Sequence, residues 1–158
     1  MPNTIFNSPE THEVYNQTPH LTGYNAFSQD TFLQQLTHAY GASWAEDNIK
    51  SYGALVGGDL IQCGFDANKY LPEFMSHDKS GTRVNEVIFH PAYHQLMRSA
   101  IESGWPCLPW LKAEKGAHVA RAAMEYLHHQ VDTGTGCPLT MSFAAMPVLK
   151  NNHFIFNI

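Results

Sequence analysis

His90 and His94, four residues apart in the run HPAYH, are the pair in this 158-residue chain whose spacing could place two imidazoles on one helical face for a metal. The chemistry is incomplete. No glutamate stands between them as a general base, Pro91 sets His90 at a helix boundary, and no third ligand is evident. The residues read instead as a cap (His90) and a partly exposed side chain (His94), with no metal expected. His128 and His129 are adjacent, so on a helix they point about 100° apart and cannot chelate together. Cys137 precedes Pro138 at a helix start, where the dipole would favour a thiolate. Without a histidine paired to it in sequence, a buried structural thiol is the expectation. No CxxC, phosphate-cradling glycine loop or GxSxG is present, and no residue is assigned a catalytic role.

The elements that must position these side chains are helical. Residues 1–27 carry Pro2, Pro9 and Pro19 without helical period and read as an extended arm laid over the surface. Ser28 is expected to cap a helix with Phe32, Leu33, Leu36 and Tyr40 on its apolar face and Gly41 as its stop. Ser43 and Glu46 form a capping-box pattern at the start of another, whose apolar face runs Ile49, Tyr52, Val56, Leu60 and Cys63. Gly53 and Gly57 share one side of it; they either admit a close backbone neighbour or weaken the helix locally.

Residues 64–89 read mostly as loop, with a short strand or turn at residues 84–89. Pro91 suits a first helical position, and Tyr93, Leu96, Met97, Ala100 and Ile101 keep the helical period to Gly104. Residues 105–112 (WPCLPWLK) read as a rigid apolar loop because of Pro106 and Pro109. From Gly116 to Asp132 a helix buries Ala120, Ala123, Met124, Leu127 and Val131 and is expected to show Arg121, Glu125, His128 and Asp132 to solvent.

Gly134 and Gly136 interrupt the chain, and Pro138 begins the last helix. Leu139, Met141, Phe143, Ala144, Ala145, Met146, Val148 and Leu149 surround that helix, relieved only by Thr140 and Ser142. A helix apolar all round is covered by more protein or spans a membrane, and this one is too short to span. The isolated chain is therefore expected to be marginal and to self-associate. The class is all-α.

A formal charge of −5, with nine Lys and Arg scattered singly, argues against the basic patch that nucleic acid or an anionic membrane would need, and leaves a nucleic-acid or metal binder as the least favoured reading. Cys63, Cys107 and Cys137 are odd in number and widely spaced, as in a reducing cytoplasm. Neither a leader peptide nor a membrane span is visible.

Four blocks, THEVYNQTPHLTGYNAFSQD (residues 11–30), DANKYLPEF (66–74), GTRVNEVIFHPAYHQLM (81–97) and HVARAAMEYLHHQVDTGTGCPLTMSFAAMPVL (118–149), together resemble the adaptive-response (AidB-like) branch of the acyl-CoA dehydrogenase superfamily. The resemblance implies a helical N-terminal domain over residues 28–149, preceded by the arm at 1–27 and followed by a divergent tail at 150–158. Full-length members bind FAD and form oligomers. Their relatives remove two hydrogens across the α,β-carbons of an acyl thioester, with a glutamate base and hydride transfer to the flavin. The branch is associated with DNA and with the alkylation-damage response. On this resemblance the domain walls the substrate cavity with Thr140, Met141, Ser142 and Phe143 and contributes subunit contacts. Its partners would be the remaining flavin-holding and C-terminal domains. The flavin-contacting segment and the catalytic glutamate have no counterpart here, so no cofactor is expected for this chain alone. The ending KNNHFIFNI departs from the family, and the expectation is a truncated product, inactive by itself. The alternative is a stand-alone helical protein-binding module without catalysis.

Overall fold

The computed structural model describes residues 15–152; most of the expected arm and the last six residues of the tail lie outside them. Eight helices and one hairpin follow in order. They are α1 (Ala26–Gln29), α2 (Thr31–Ala39), α3 (Glu46–Val56), α4 (Asp59–Lys69), β1 (Glu73–His77), β2 (Arg83–Ile88), α5 (Pro91–Glu102), α6 (Leu108–Leu111), α7 (Ala117–His129) and α8 (Gly136–Lys150). A 3₁₀ turn at Ser43–Ala45 leads into α3. α3 lies at the centre, against α1, α4 and α7; α4 packs on α5, and α7 also meets α2, α6 and α8.

The core follows the apolar periods. Ile49, Tyr52 and Val56 of α3 meet Leu96 and Ala100 of α5, Ala120, Met124 and Leu127 of α7, Leu60 of α4 and Leu139 of α8 in one cluster. Each fully buried Leu or Ile contributes about 1.5–3 kcal/mol against the conformational entropy of ordering the helices. α5 forms as its sequence dictates: Pro91 occupies the first turn, and His90 caps it by accepting from the Ala92 amide at 3.3 Å. Gly41 and Gly104 stop α2 and α5 with φ of 83° and 78°.

Several expectations change. The cap of α2 is Asp30, whose carboxylate accepts from the Leu33 amide at 2.8 Å; Ser28 lies inside α1, which Asn25 caps. The Ser43–Glu46 capping box does not form, because both side chains turn to His38: the Ser43 hydroxyl is 3.0 Å from Nδ1 and Glu46 is 3.1 Å from Nε2. The helix read through to Cys63 breaks at Gly57–Gly58 into α3 and α4. The end of the arm is not a surface strap: Ala26 and Phe27 are buried in the core.

Gly53 and Gly57 explain that docking. A Cβ on Gly53 would sit 2.7 Å from Asn25 Oδ1 and 2.8 Å from the Phe27 backbone, and one on Gly57 would overlap the Tyr24 carbonyl. The Tyr24 amide instead donates to Gly57 O at 3.1 Å, and Asn25 Nδ2 to Lys50 O at 2.8 Å. Both readings of these glycines hold, since α3 ends where the second of them stands.

The stretch read as loop at residues 64–89 carries the end of α4 and an antiparallel hairpin, so the class is mostly helical with one small sheet. Its register pairs Glu73 with Ile88, Phe74 with Val87, Met75 with Glu86 and His77 with Arg83, with an irregularity between Met75 and His77. All but Met75 among these residues are exposed. Residues 105–112 are not all loop: α6 forms with Pro109 in its first turn, where the missing N–H costs nothing. Trp105 beside it is wholly buried.

Candidate functional site

The four residues expected to wall a substrate cavity lie in the first half of α8 and divide between its two sides. Phe143 is half-buried against the bundle, and Thr140, itself exposed, reaches α7 with its hydroxyl. The Thr140 hydroxyl donates to Glu125 Oε1 at 2.6 Å, and Arg121 grips the same carboxylate in a fork at 2.7 and 3.0 Å. Above them the Arg121 guanidinium lies 3.8 Å from the centre of the Phe143 ring. Trp110 of α6 stacks on that ring at 5.1 Å and donates its indole N–H to Phe143 O at 2.9 Å. Burial pushes the Glu125 carboxyl up, but the hydrogen bonds from Thr140 and Arg121 and the charges of Arg121 and His129 outweigh it and hold it below its ordinary value.

Met141 and Ser142 face outward. The Ser142 hydroxyl bonds back to Pro138 O at 3.0 Å, a bond within the helix. Met141 is 67% exposed and Val148 is 72% exposed, with Ala144 and Ala145 also open between them. Their spacing of i, i+3, i+4 and i+7 makes one apolar stripe. Of the whole of α8, only Gly136 and Leu139 are fully buried. An apolar cavity of about 550 Å³ lies elsewhere, between α2 and α7, lined by Phe32, Leu33, Leu36, Tyr40, Val119 and Tyr126 among others.

The face of α7 expected to meet solvent is in fact turned inward. Arg121 and Asp132 are each 8% exposed and His128 is 0% exposed. Arg121 lies between the Trp105 and Phe143 rings, His128 against Tyr52, Trp105 and Thr135, and Asp132 against Asn68 and Thr135. Beneath α8 a buried polar chain results. Tyr52 Oη lies 2.6 Å from His128 Nδ1, His128 Nε2 lies 2.8 Å from Thr135 Oγ1, and Thr135 Oγ1 donates to Asp132 Oδ2 at 2.5 Å. The Thr135 amide donates to the same oxygen at 2.6 Å, and Asn68 of α4 reaches Asp132 Oδ1 at 3.2 Å.

Burial raises the Asp132 carboxyl, yet the donors from Thr135, Asn68 and Gly134 together hold it low, so it is an anion. Burial pushes His128 down to about 4, against the charges of Asp132 and Glu125, and raises Tyr52 to about 12, partly opposed by the Trp105 indole. That indole N–H, fully buried, and Arg121 Nε have no hydrogen-bond partner of ordinary geometry.

The other candidates separate. His90 is occupied as a cap and stacks on Tyr70 at 4.8 Å, while His94 is exposed and meets Phe89 edge-on. Among the described residues no group of three or more His, Cys, Asp or Glu side chains could hold a metal. Cys137, expected to be buried, is exposed at the start of α8; Cys63 is buried, and Asp66 and Asp59 add to burial in raising its thiol. Sequence reasoning missed the Tyr52–His128–Thr135–Asp132 chain. The i, i+4 pair His128 and Asp132 was its visible sign, but a polar face on an amphipathic helix reads as solvated until a second helix is known to cover it.

The family model described as "Adaptive response protein AidB N-terminal domain" matches residues 16–157, past Leu149 and into the stretch read as a divergent tail. An Escherichia coli (strain K12) protein named "Putative acyl-CoA dehydrogenase AidB" is 39% identical over 142 residues, which cover 89% of this chain and 26% of that relative. The chain thus spans about a quarter of the length of the curated relative it matches. On this agreement of sequence, over nearly all the described helices, the chain belongs to the family of adaptive response protein AidB N-terminal domains.

Proposed function

We propose that these residues act as the helical wall and packing domain of an AidB-like, FAD-dependent acyl-CoA dehydrogenase of the alkylation-damage response, working in the cytoplasm and inactive without the rest of that enzyme. The observation that carries this reading is α8. Its inner side is fastened by Leu139, Thr140 and Phe143, while its outer stripe from Met141 to Val148 is apolar and open. Such a stripe on an otherwise packed helix fits a permanent protein contact better than water. The occupant in this reading is the flavin-bearing part of the enzyme. About three quarters of the length of the E. coli relative lies outside the matched stretch, which leaves ample chain to cover it.

The outward pair Met141 and Ser142 would then border the acyl cavity at that contact, with Thr140 and Phe143 setting the rotation of the helix. The cavity between α2 and α7 is mostly apolar; its lining among the described residues includes Asp30 and no Lys or Arg that could meet a pyrophosphate. Three free cysteines are in keeping with a reducing cytoplasm.

The test is purification of the chain with excess FAD, alone and together with the remaining length of the E. coli relative. Alone it should stay colourless; with the remainder it should co-purify, and the double change Met141→Glu, Val148→Glu should end co-purification. A stoichiometric yellow complex of the isolated chain would overturn the reading. A clean monomer that ignores the remainder would favour the stand-alone binding module.

A further inference from the structure

The direction of every hydrogen bond in the buried chain beneath α8 follows from its end. Asp132 is a carboxylate and only accepts. The Thr135 hydroxyl has one proton and gives it to Asp132 Oδ2. Its oxygen must therefore accept from His128, 2.8 Å away, which requires the proton on Nε2. The ring is wholly buried, which disfavours the imidazolium. In the neutral ring Nδ1 is then a bare lone pair, and the Tyr52 hydroxyl at 2.6 Å donates to it.

We propose that this one-way relay locks His128 as the neutral Nε2–H tautomer, and that the lock fixes where α8 begins on the bundle. The opposite tautomer would set the Nε2 lone pair against a Thr135 oxygen whose proton is already committed, and would point Nδ1–H at Tyr52. Reversing the whole chain would need a protonated Asp132. Tyr52, His128 and Thr135 are each 1% exposed or less, so no water supplies a substitute partner and each mismatch carries its full penalty.

Four helices or their junctions meet here: Tyr52 from α3, Asn68 from α4, His128 from the end of α7, and the turn that leads into α8. The charged and titratable groups around the imidazole are Asp132, Glu125 and His129, with Tyr52 opposite. Thr135 is the residue just before Gly136, the first of α8, and is tied to Asp132 through both its hydroxyl and its amide. Gly136 in turn lies so close to the His129 imidazole that a Cβ there would overlap it. The start of α8 is thereby registered against α7 by polar contacts, although the helix itself is almost wholly apolar. The inference does not depend on what covers the outer stripe.

Nitrogen NMR of the ¹⁵N-histidine-labelled chain reads the tautomer directly, and the exposed Cys137 beside Gly136 reports the helix start through its alkylation rate, assigned by peptide mass apart from Cys63 and Cys107. His128 is expected as Nε2–H alone at neutral pH. Thr135→Ser, which keeps the hydroxyl, should match wild type. Thr135→Val, of similar volume without it, should give a tautomer mixture and a several-fold faster Cys137 reaction. Tyr52→Phe should leave tautomer and Cys137 rate unchanged, because the lock is anchored at Asp132. An Nδ1–H or mixed wild type, a Thr135→Val protein like wild type, or a mixture in Tyr52→Phe would overturn the proposal. Should Thr135→Val not fold, the wild-type tautomer and the Tyr52→Phe comparison still decide it.

Discussion

A histidine held neutral inside a protein makes stability depend on pH, and the sign follows from linkage. Burial sets His128 at about 4 in the folded chain against an ordinary 6.5. As pH falls from about 7 towards 4 the unfolded chain takes up a proton that the native state refuses, and stability drops; below about 4 this contribution levels off. The whole loss is of the order of 3 kcal/mol, from about 1.4 kcal/mol per pKa unit. Asp132 and Glu125, both held below their ordinary values, act in the same direction but at lower pH, since their stabilisation is present above the ordinary carboxylate pKa and lost as pH falls through the depressed one. Urea midpoints should therefore fall between pH 7 and 4.5 in wild type and stay nearly flat in His128→Gln. Equal slopes in the two proteins would contradict the assignment.

At the scale of elements, two close approaches decide how helices meet. A Cβ on Gly64 of α4 would overlap the Val131 carbonyl, as one on Gly57 would overlap that of Tyr24. Neither neighbour is a flexible side-chain end, so backbone must move. Gly64→Ala and Gly57→Ala should each cost about 1–3 kcal/mol, the usual range for overpacking, measured as a lower denaturant midpoint. An unchanged midpoint would mean that the neighbouring backbone shifts freely. The α8 stripe behaves in the opposite way. Met141→Glu and Val148→Glu touch exposed positions and should change stability by no more than about 0.5 kcal/mol. They should nevertheless reduce self-association of the chain, read by light scattering against wild type.

For the molecule as a whole, the arrangement is a bundle around α3 with apolar side chains left exposed on α8 and on the hairpin. The core is continuous from Phe27 to Leu139, yet α8 leaves Met141 and Val148 open, and the hairpin exposes Phe74 and Val87. A two-stranded hairpin on its own is marginal in water, so its amides should exchange far faster than those of α3 and α7. Hydrogen exchange followed by mass spectrometry checks this; equal protection would show that the hairpin is packed in solution.

Much of this is legible in the amino-acid sequence. The periods of α3, α5 and α7, the Pro91 start, the Gly41 and Gly104 stops and the all-round apolar character of α8 are local properties, written in spacing and side-chain chemistry. So is family membership, because the matching blocks run through most of the chain. Tertiary structure alone decided which polar residues are solvated. Arg121 and His128, and Asp132 just past the end of α7, follow the side that an amphipathic pattern assigns to water; Phe143 of α8, Tyr52 of α3, Trp105, Asn68 of α4 and the turn at Thr135 close over them. Ser43 and Glu46 likewise match a capping box in sequence and are taken by His38 instead. A local pattern fixes the face a residue occupies. What covers that face depends on helices distant in sequence, and in a low-dielectric interior that difference turns four ordinary polar side chains into a directed hydrogen-bond chain.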